Sequence, residues 1–175
     1  MNRTDRKWPA SELSGIIDRF ERPLLAYASR MLDGDWQGAQ DAVQETFLRL
    51  CREDPSKIES RVAAWLFTVC RSRVIDMQRT KRPVSVAMGP IDASVQTMPD
   101  DSPDASQIAS DAEEQAKLQG LLDDLTPRQQ EVIRLRMQAG LSYKEIASVT
   151  GMTVSNVGFH LHEAIKSLHG RLAAP

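Results

Sequence analysis

Between residues 61 and 82 the chain carries Arg61, Arg71, Arg73, Arg79, Lys81 and Arg82 against a single acid, Asp76. A cluster of fixed cations in a helical pattern neutralises phosphates, so this stretch suits a nucleic-acid backbone. From residue 92 to 124 the balance inverts: Asp92, Asp100, Asp101, Asp104, Asp111, Glu113, Glu114, Asp123 and Asp124 face only Lys117. The net charge of −2 is the sum of these segregated blocks and does not exclude nucleic acid. Other chemistries are poorly supplied. His160 and His162 lie on different faces of a helix with no CxxC beside them, so no metal site is expected. Cys51 and Cys70 sit in amphipathic patterns and read as small buried hydrophobes rather than a disulfide. No Ser-His-Asp grouping and no phosphate-binding glycine loop occurs, so neither an enzyme nor a cofactor is expected.

A second pattern lies near the C-terminus. Thr126-Pro127-Arg128-Gln129 and Ser142-Tyr143-Lys144-Glu145 each place a capping hydroxyl three residues before Gln or Glu, the reciprocal arrangement that opens a helix. The first helix runs to about Gln138 and stops at Gly140; the second ends near Thr150-Gly151; Thr153 caps a third, over residues 154–168, stopped by Gly170. Ala147 is small where two helices would cross, Gly151 permits a left-handed turn, and Val157 and Leu161 return apolar side chains to the first helix. This spacing is that of a helix-turn-helix, whose second helix enters the DNA major groove.

These residues need a scaffold, and the apolar periodicity is helical throughout. The composition, 41% hydrophobic and 5% aromatic, supports packed cores. Leu13, Ile16, Ile17, Phe20, Leu24, Leu25, Tyr27 and Ala28 mark one helix, with a kink expected at Pro23 and an end at Asp33-Gly34-Asp35. A second spans residues 40–53, with Val43, Phe47, Leu50 and Cys51 inward, ended by Asp54-Pro55-Ser56. A third covers residues 61–82, built on Val62, Trp65, Leu66, Val69, Cys70, Val74 and Met77. The stretch PVSVAMGPIDASVQTMPDDSPDASQIASDA has linker composition. The expectation is therefore an all-α chain of two small helical domains, residues 12–82 and 113–172, joined by a flexible linker at 83–112. No apolar run is long enough to span a bilayer and the N-terminus has no signal-peptide core, which predicts a cytoplasmic protein without membrane insertion of its own.

Three segments resemble extracytoplasmic-function RNA polymerase sigma factors, in family order. AQDAVQETFLRLCRE resembles region 2.2, WLFTVCRSRVIDMQRTKR is similar to regions 2.3 and 2.4, and LTPRQQEVIRLRMQAGLSYKEIASVTGMTVSNVGFHLHEAIKSL resembles region four. The resemblance implies a two-domain alternative sigma factor that binds core RNA polymerase and directs promoter recognition, melting and initiation. It implies core-polymerase contacts at Asp41, Gln44, Glu45 and Arg49. It implies minus-10 contacts at Arg71, Ser72, Arg73, Arg79, Lys81 and Arg82, with Ile58 in the loop walling the pocket for an unstacked base. Trp65 matches a family tryptophan and is read as core. Ser72 stands where the family commonly has asparagine; its single hydroxyl leaves the preferred base unassigned. For the minus-35 element the matching positions are Arg136, Lys144, Ser155, Asn156, Gly158, Phe159, His162, Glu163 and Lys166, with Arg128 and Arg134 also available to phosphates. Asn156 suits adenine, Glu163 cytosine and Phe159 a thymine methyl. Few of these are arginine, so a non-standard minus-35 sequence is expected. Gly158 weakens its helix, through either close backbone approach to a partner or simple tolerance. Family members are usually held by an anti-sigma factor, so one is expected here; the acidic linker serves as a tether or mimics nucleic acid.

Two rivals share part of this pattern. LTPRQQEVIRL also resembles the LuxR-type helix-turn-helix, but a receiver domain would need parallel strands in the first block. A sigma-like interaction module without initiation activity would differ only in failing to start transcripts. Promoter, regulon, inducing signal, regulator and oligomeric state are not written in the residues.

Overall fold

The computed structural model describes residues 7–80, 120, 122 and 124–172. Among these there is no strand. Helix α1, Ala10–Met31, passes through Pro23 without ending. One backbone bond is lost there, but Phe20, Leu24, Leu25, Tyr27 and Ala28 are buried on either side and hold the helix to its neighbours. Asp33 and Gly34 adopt positive φ and turn the chain. Asp35 then caps α2, Trp36–Arg52, accepting from the Gly38 amide at 2.9 Å.

Asp54-Pro55-Ser56 does more than stop α2. The Asp54 carboxylate accepts from the Ser56 amide and hydroxyl and opens a short helix α3, Pro55–Ile58, which leads through a 3₁₀ turn, Glu59–Arg61, into α4, Val62–Thr80. Helices α1, α2 and α4 pack pairwise around Leu24, Tyr27, Leu50, Leu66, Phe67, Cys70 and Val74. The Tyr27 and Phe67 rings meet edge to face at 5.3 Å. Trp65 packs partly buried against this core, as read from the sequence.

Helix α5, Pro127–Met137, and helix α6, Tyr143–Thr150, each open with the complete capping box. Gly151, with φ of 73°, ends α6 in the left-handed region that a side chain would strain. Thr153 accepts from the Asn156 amide and starts α7, Val154–Leu172. Gly170 does not stop it: α7 continues two residues further, and Arg171 pairs with Asp124 ahead of α5. Ile146, Val157, Leu161 and Ala164 form the buried seam of the turn motif. The linker, residues 83–112, lies outside the described residues, as do Lys81 and Arg82. The two helical bodies are not apart: α6 packs directly on α4.

The cysteines separate. Cys70 is buried, and burial raises its thiol pKa to about 12, outweighing a hydrogen bond with Thr46 that lowers it. Cys51, one step of about 100° beyond buried Leu50, is exposed, correcting the expectation that both are core. Both thiols are free. In native protein at pH 8, Ellman's reagent is therefore expected to titrate Cys51 rapidly and Cys70 only after denaturant is added; two rapid thiols would contradict the buried position.

Candidate nucleic-acid interface and docking face

Helix α2 divides cleanly. Ala39, Ala42, Val43, Thr46 and Leu50 are buried, and Thr46 settles its hydroxyl on the Ala42 carbonyl at 2.7 Å. The opposite face carries Asp41, Gln44, Glu45, Leu48 and Arg49, spaced three and four apart so that they form one stripe. Asp41, Gln44, Leu48 and Arg49 are exposed, and half-buried Glu45 accepts from Arg49 at 3.0 Å. The four docking residues expected from the sequence thus share one outward face. Leu48, absent from that expectation, adds an apolar contact at its centre; its spacing of seven from Asp41 was the available signal.

Helix α4 is less open. Arg79 is exposed and sits 3.9 Å from Asp76. Ser72 is exposed beside a cleft of about 240 Å³ lined by Thr68, Arg71, Ser72, Ile75, Asp76 and Arg79 of α4 and by Val149 of α6. Arg73 is half-buried, with its Nε lacking a hydrogen-bond acceptor. Arg71 is engaged: its Nε donates to Glu131 of α5 at 2.8 Å. The Tyr27 hydroxyl donates to the same Glu131 oxygen at 2.9 Å, and Arg128 lies 3.9 Å from the other. Burial would lower the Arg71 pKa, but the hydrogen bond and charge of Glu131 raise it above its usual value. Burial, reinforced by Glu131, holds the Tyr27 phenol well above its usual range, so it remains a donor.

Two assignments need correction. Ile58 is only 2% exposed and belongs to the core, because the α3 helix started by Asp54 turns it inward; it does not wall a surface pocket. Arg134 is 7% exposed in this arrangement and is not presented to phosphates. Burial, with the charge of Arg30 on α1 adding to it, lowers its pKa to about 10.

On the helix-turn-helix, Ser155, Asn156, Phe159, His162 and Lys166 are exposed and follow one another along the outer side of α7, with Gly158 and Glu163 half-buried among them. Phe159 is 61% exposed, so its ring is accessible on this side of α7. Lys144 is exposed at the start of α6. Arg136 braces the turn, donating to the Leu141 carbonyl at 2.9 Å and lying 5.7 Å from the Tyr143 ring centre. A Cβ on Gly158 would meet Tyr143 at 3.7 Å, an ordinary contact. Gly158→Ala is therefore expected to stabilise the free protein by about 0.5–1 kcal/mol, read as a higher melting temperature. A lower melting temperature would show that α7 needs the glycine for its own packing.

No helix among the described residues is long and apolar enough to cross a membrane, and no group of His, Cys, Asp or Glu there could hold a metal ion.

Comparison with known proteins matches residues 16–84 to Sigma-70 region 2 and residues 115–168 to Sigma-70, region 4. The chain is 34% identical over 162 residues to the ECF RNA polymerase sigma factor SigL of Mycobacterium tuberculosis, covering 91% of this chain and 88% of that protein. It is 30% identical over 149 residues to the ECF RNA polymerase sigma factor SigE of Mycolicibacterium smegmatis, covering 85% of this chain but 56% of that longer relative. Among solved structures, CnrH in complex with the cytosolic domain of CnrY aligns with a TM-score of 0.58 at 23% identity, covering 94% of this chain and 89% of that one. RpoE in complex with the anti-sigma factor NepR from Bartonella quintana aligns with a TM-score of 0.57 at 23% identity, covering 93% and 94%. At that identity the two structures speak for the fold.

Proposed function

The chain belongs to the extracytoplasmic-function RNA polymerase sigma factors, and from that premise we propose how its faces divide the work of initiation. The stripe Asp41, Gln44, Glu45, Leu48 and Arg49 on α2 docks core RNA polymerase. The basic half of α4, with Arg71, Ser72, Arg73 and Arg79 and continuing to Lys81 and Arg82, holds the non-template strand of the minus-10 element. Capture of an unstacked base there offsets the few kcal/mol that unstacking costs. Helices α6 and α7 lie in the major groove of the minus-35 element, reading bases through Asn156, Phe159, His162 and Glu163 and phosphates through Lys144, Lys166 and Arg136. The protein works by binding, in the cytoplasm, without catalysis or cofactor of its own. The observation that carries this reading is the helix-turn-helix with two complete capping boxes whose outer face leaves Phe159 and its polar neighbours uncovered.

An anti-sigma factor is the expected regulator. Both aligned solved structures are complexes with a second protein, the cytosolic domain of CnrY in one and NepR in the other. A LuxR-type regulator is disfavoured: its receiver domain would require strands where the described residues of the first block form only helices.

The test is transcription in vitro with purified core polymerase on a promoter library. Transcripts that start only when this protein is added are expected, from promoters sharing a minus-10 element and a minus-35 element that departs from the usual one. Core binding without any dependent start would overturn the reading in favour of a sigma-like module that occupies polymerase.

A further inference from the structure

Asp76 is the single acid in the basic run of residues 61–82. It is exposed on α4, and its carboxylate accepts no hydrogen bond among the described residues. Arg79 lies 3.9 Å away, with 78% of the Arg79 side chain and 60% of the Asp76 side chain exposed. A pair this open contributes little to stability. Near the C-terminal end of a helix the macrodipole disfavours an acid. Toward a strand of phosphates the charge is repulsive as well. The fold and the phosphate contacts thus both work against an acid here, and its neighbours supply a different use. Ser72 stands one turn before Asp76 on the same row of α4, so the two side chains can reach one point, at the cleft that both line with Arg71 and Arg79. Thr68 and Thr80 of α4 donate their hydroxyls to the Ala64 and Asp76 carbonyls. Among the described residues the Ser72 hydroxyl makes no such bond and stays available.

We propose that Asp76, together with Ser72, sets the base preference at one position of the minus-10 element, selecting adenine or cytosine, which carry an exocyclic amino group, over thymine or guanine. The proposal rests on the assignment of α4 to minus-10 DNA. A carboxylate can only accept. Adenine N6 and cytosine N4 donate, whereas thymine O4 and guanine O6 present lone pairs at the equivalent place on the base edge. Ser72 donates to the ring nitrogen beside the amino group, which is an acceptor in adenine and cytosine and an N–H in thymine and guanine. The arginines hold phosphates of any sequence and carry no such information. The Asp76 charge lowers affinity for every strand and lowers it most for the keto bases, and that difference is the specificity.

Three full-length variants test this. Asp76→Asn presents both a donor and an acceptor and should erase the distinction. Asp76→Glu keeps an acceptor-only charge and should preserve it. Asp18→Asn removes an exposed acid from α1 and is the control, expected to behave as the parent. Each is reconstituted with core polymerase and transcribes barcoded templates randomised across the minus-10 element. The parent should favour amino over keto bases about tenfold at one position, within the range of a single good base contact. In Asp76→Asn the ratio should fall to about twofold at that position alone, with output from the keto templates rising. Ratios unchanged at every position overturn the proposal and leave the sigma reading intact. A loss spread evenly over all positions, or one matched by Asp76→Glu, overturns base reading in favour of Asp76 merely positioning Arg79. Loss of a preference for thymine or guanine overturns the amino assignment. A parent holoenzyme that transcribes without any minus-10 preference overturns the assignment of α4 itself, and the proposal with it.

Discussion

Glu45→Lys is expected to weaken binding to core RNA polymerase by roughly a hundredfold, since a like charge placed across an interface costs several kcal/mol. The argument depends on how little Glu45 does for the fold. Its one ion pair, with Arg49 at 3.0 Å, joins two side chains that are each 40% exposed or more. Pairs of this kind contribute about 0.3–0.5 kcal/mol, and the reversed pair costs a similar amount. The buried side of α2, built on Ala42, Val43, Thr46 and Leu50, is untouched by the substitution. A loss of polymerase affinity with the melting temperature nearly unchanged would thus locate the docking face. Glu12→Lys, an equal change of charge on an exposed residue of α1, is the control and should bind as the parent does. Binding measured by fluorescence anisotropy with labelled sigma decides it, and equal affinity for both variants would remove α2 from the interface. The effect should shrink at high salt but not vanish, because Leu48 at the centre of the stripe contributes without charge.

What could be read from the residues was what short-range physics dictates. A capping box is complete within four residues, so Thr126 with Gln129 and Ser142 with Glu145 announced α5 and α6 without any knowledge of the rest. Gly151 and Val157 set the turn for the same reason, and the inward and outward sides of α2 followed from its period. Errors came where one residue type serves two local outcomes. Asp54-Pro55-Ser56 ends one helix and, through the Asp54 carboxylate, begins another, which carried Ile58 into the core. Pro23 and Gly170 weaken a helix locally, yet both helices continue through them, α1 held by residues buried on either side of Pro23. The Tyr27–Glu131–Arg71 contact had no local signal, since 104 residues separate Tyr27 from Glu131. An arginine in a basic run announces that it will bind an anion. It does not say whether the anion is a phosphate or a carboxylate of the same chain.

Arg134 offers the converse case, a cation whose burial costs stability. In the folded chain, burial and then Arg30 lower its pKa from 12.5 to about 10. The sign follows from proton counts. Between those two values the unfolded chain holds a proton that the folded chain has released, so stability rises with pH across that window. Below pH 10 both states are charged and the folded state carries the full cost, on the order of 3 kcal/mol. Methionine has comparable length and no charge. Arg134→Met is therefore expected to stabilise the free protein by about 1–3 kcal/mol, within the range found when buried charges are replaced by apolar residues of similar volume. Thermal unfolding at pH 7 should show the variant melting several degrees higher, and the gap should narrow as pH rises through 10, when the parent's own charge is relieved. A lower melting temperature would mean that the guanidinium holds contacts worth more than its desolvation. A gap constant with pH would mean that packing, not charge, separates the two proteins.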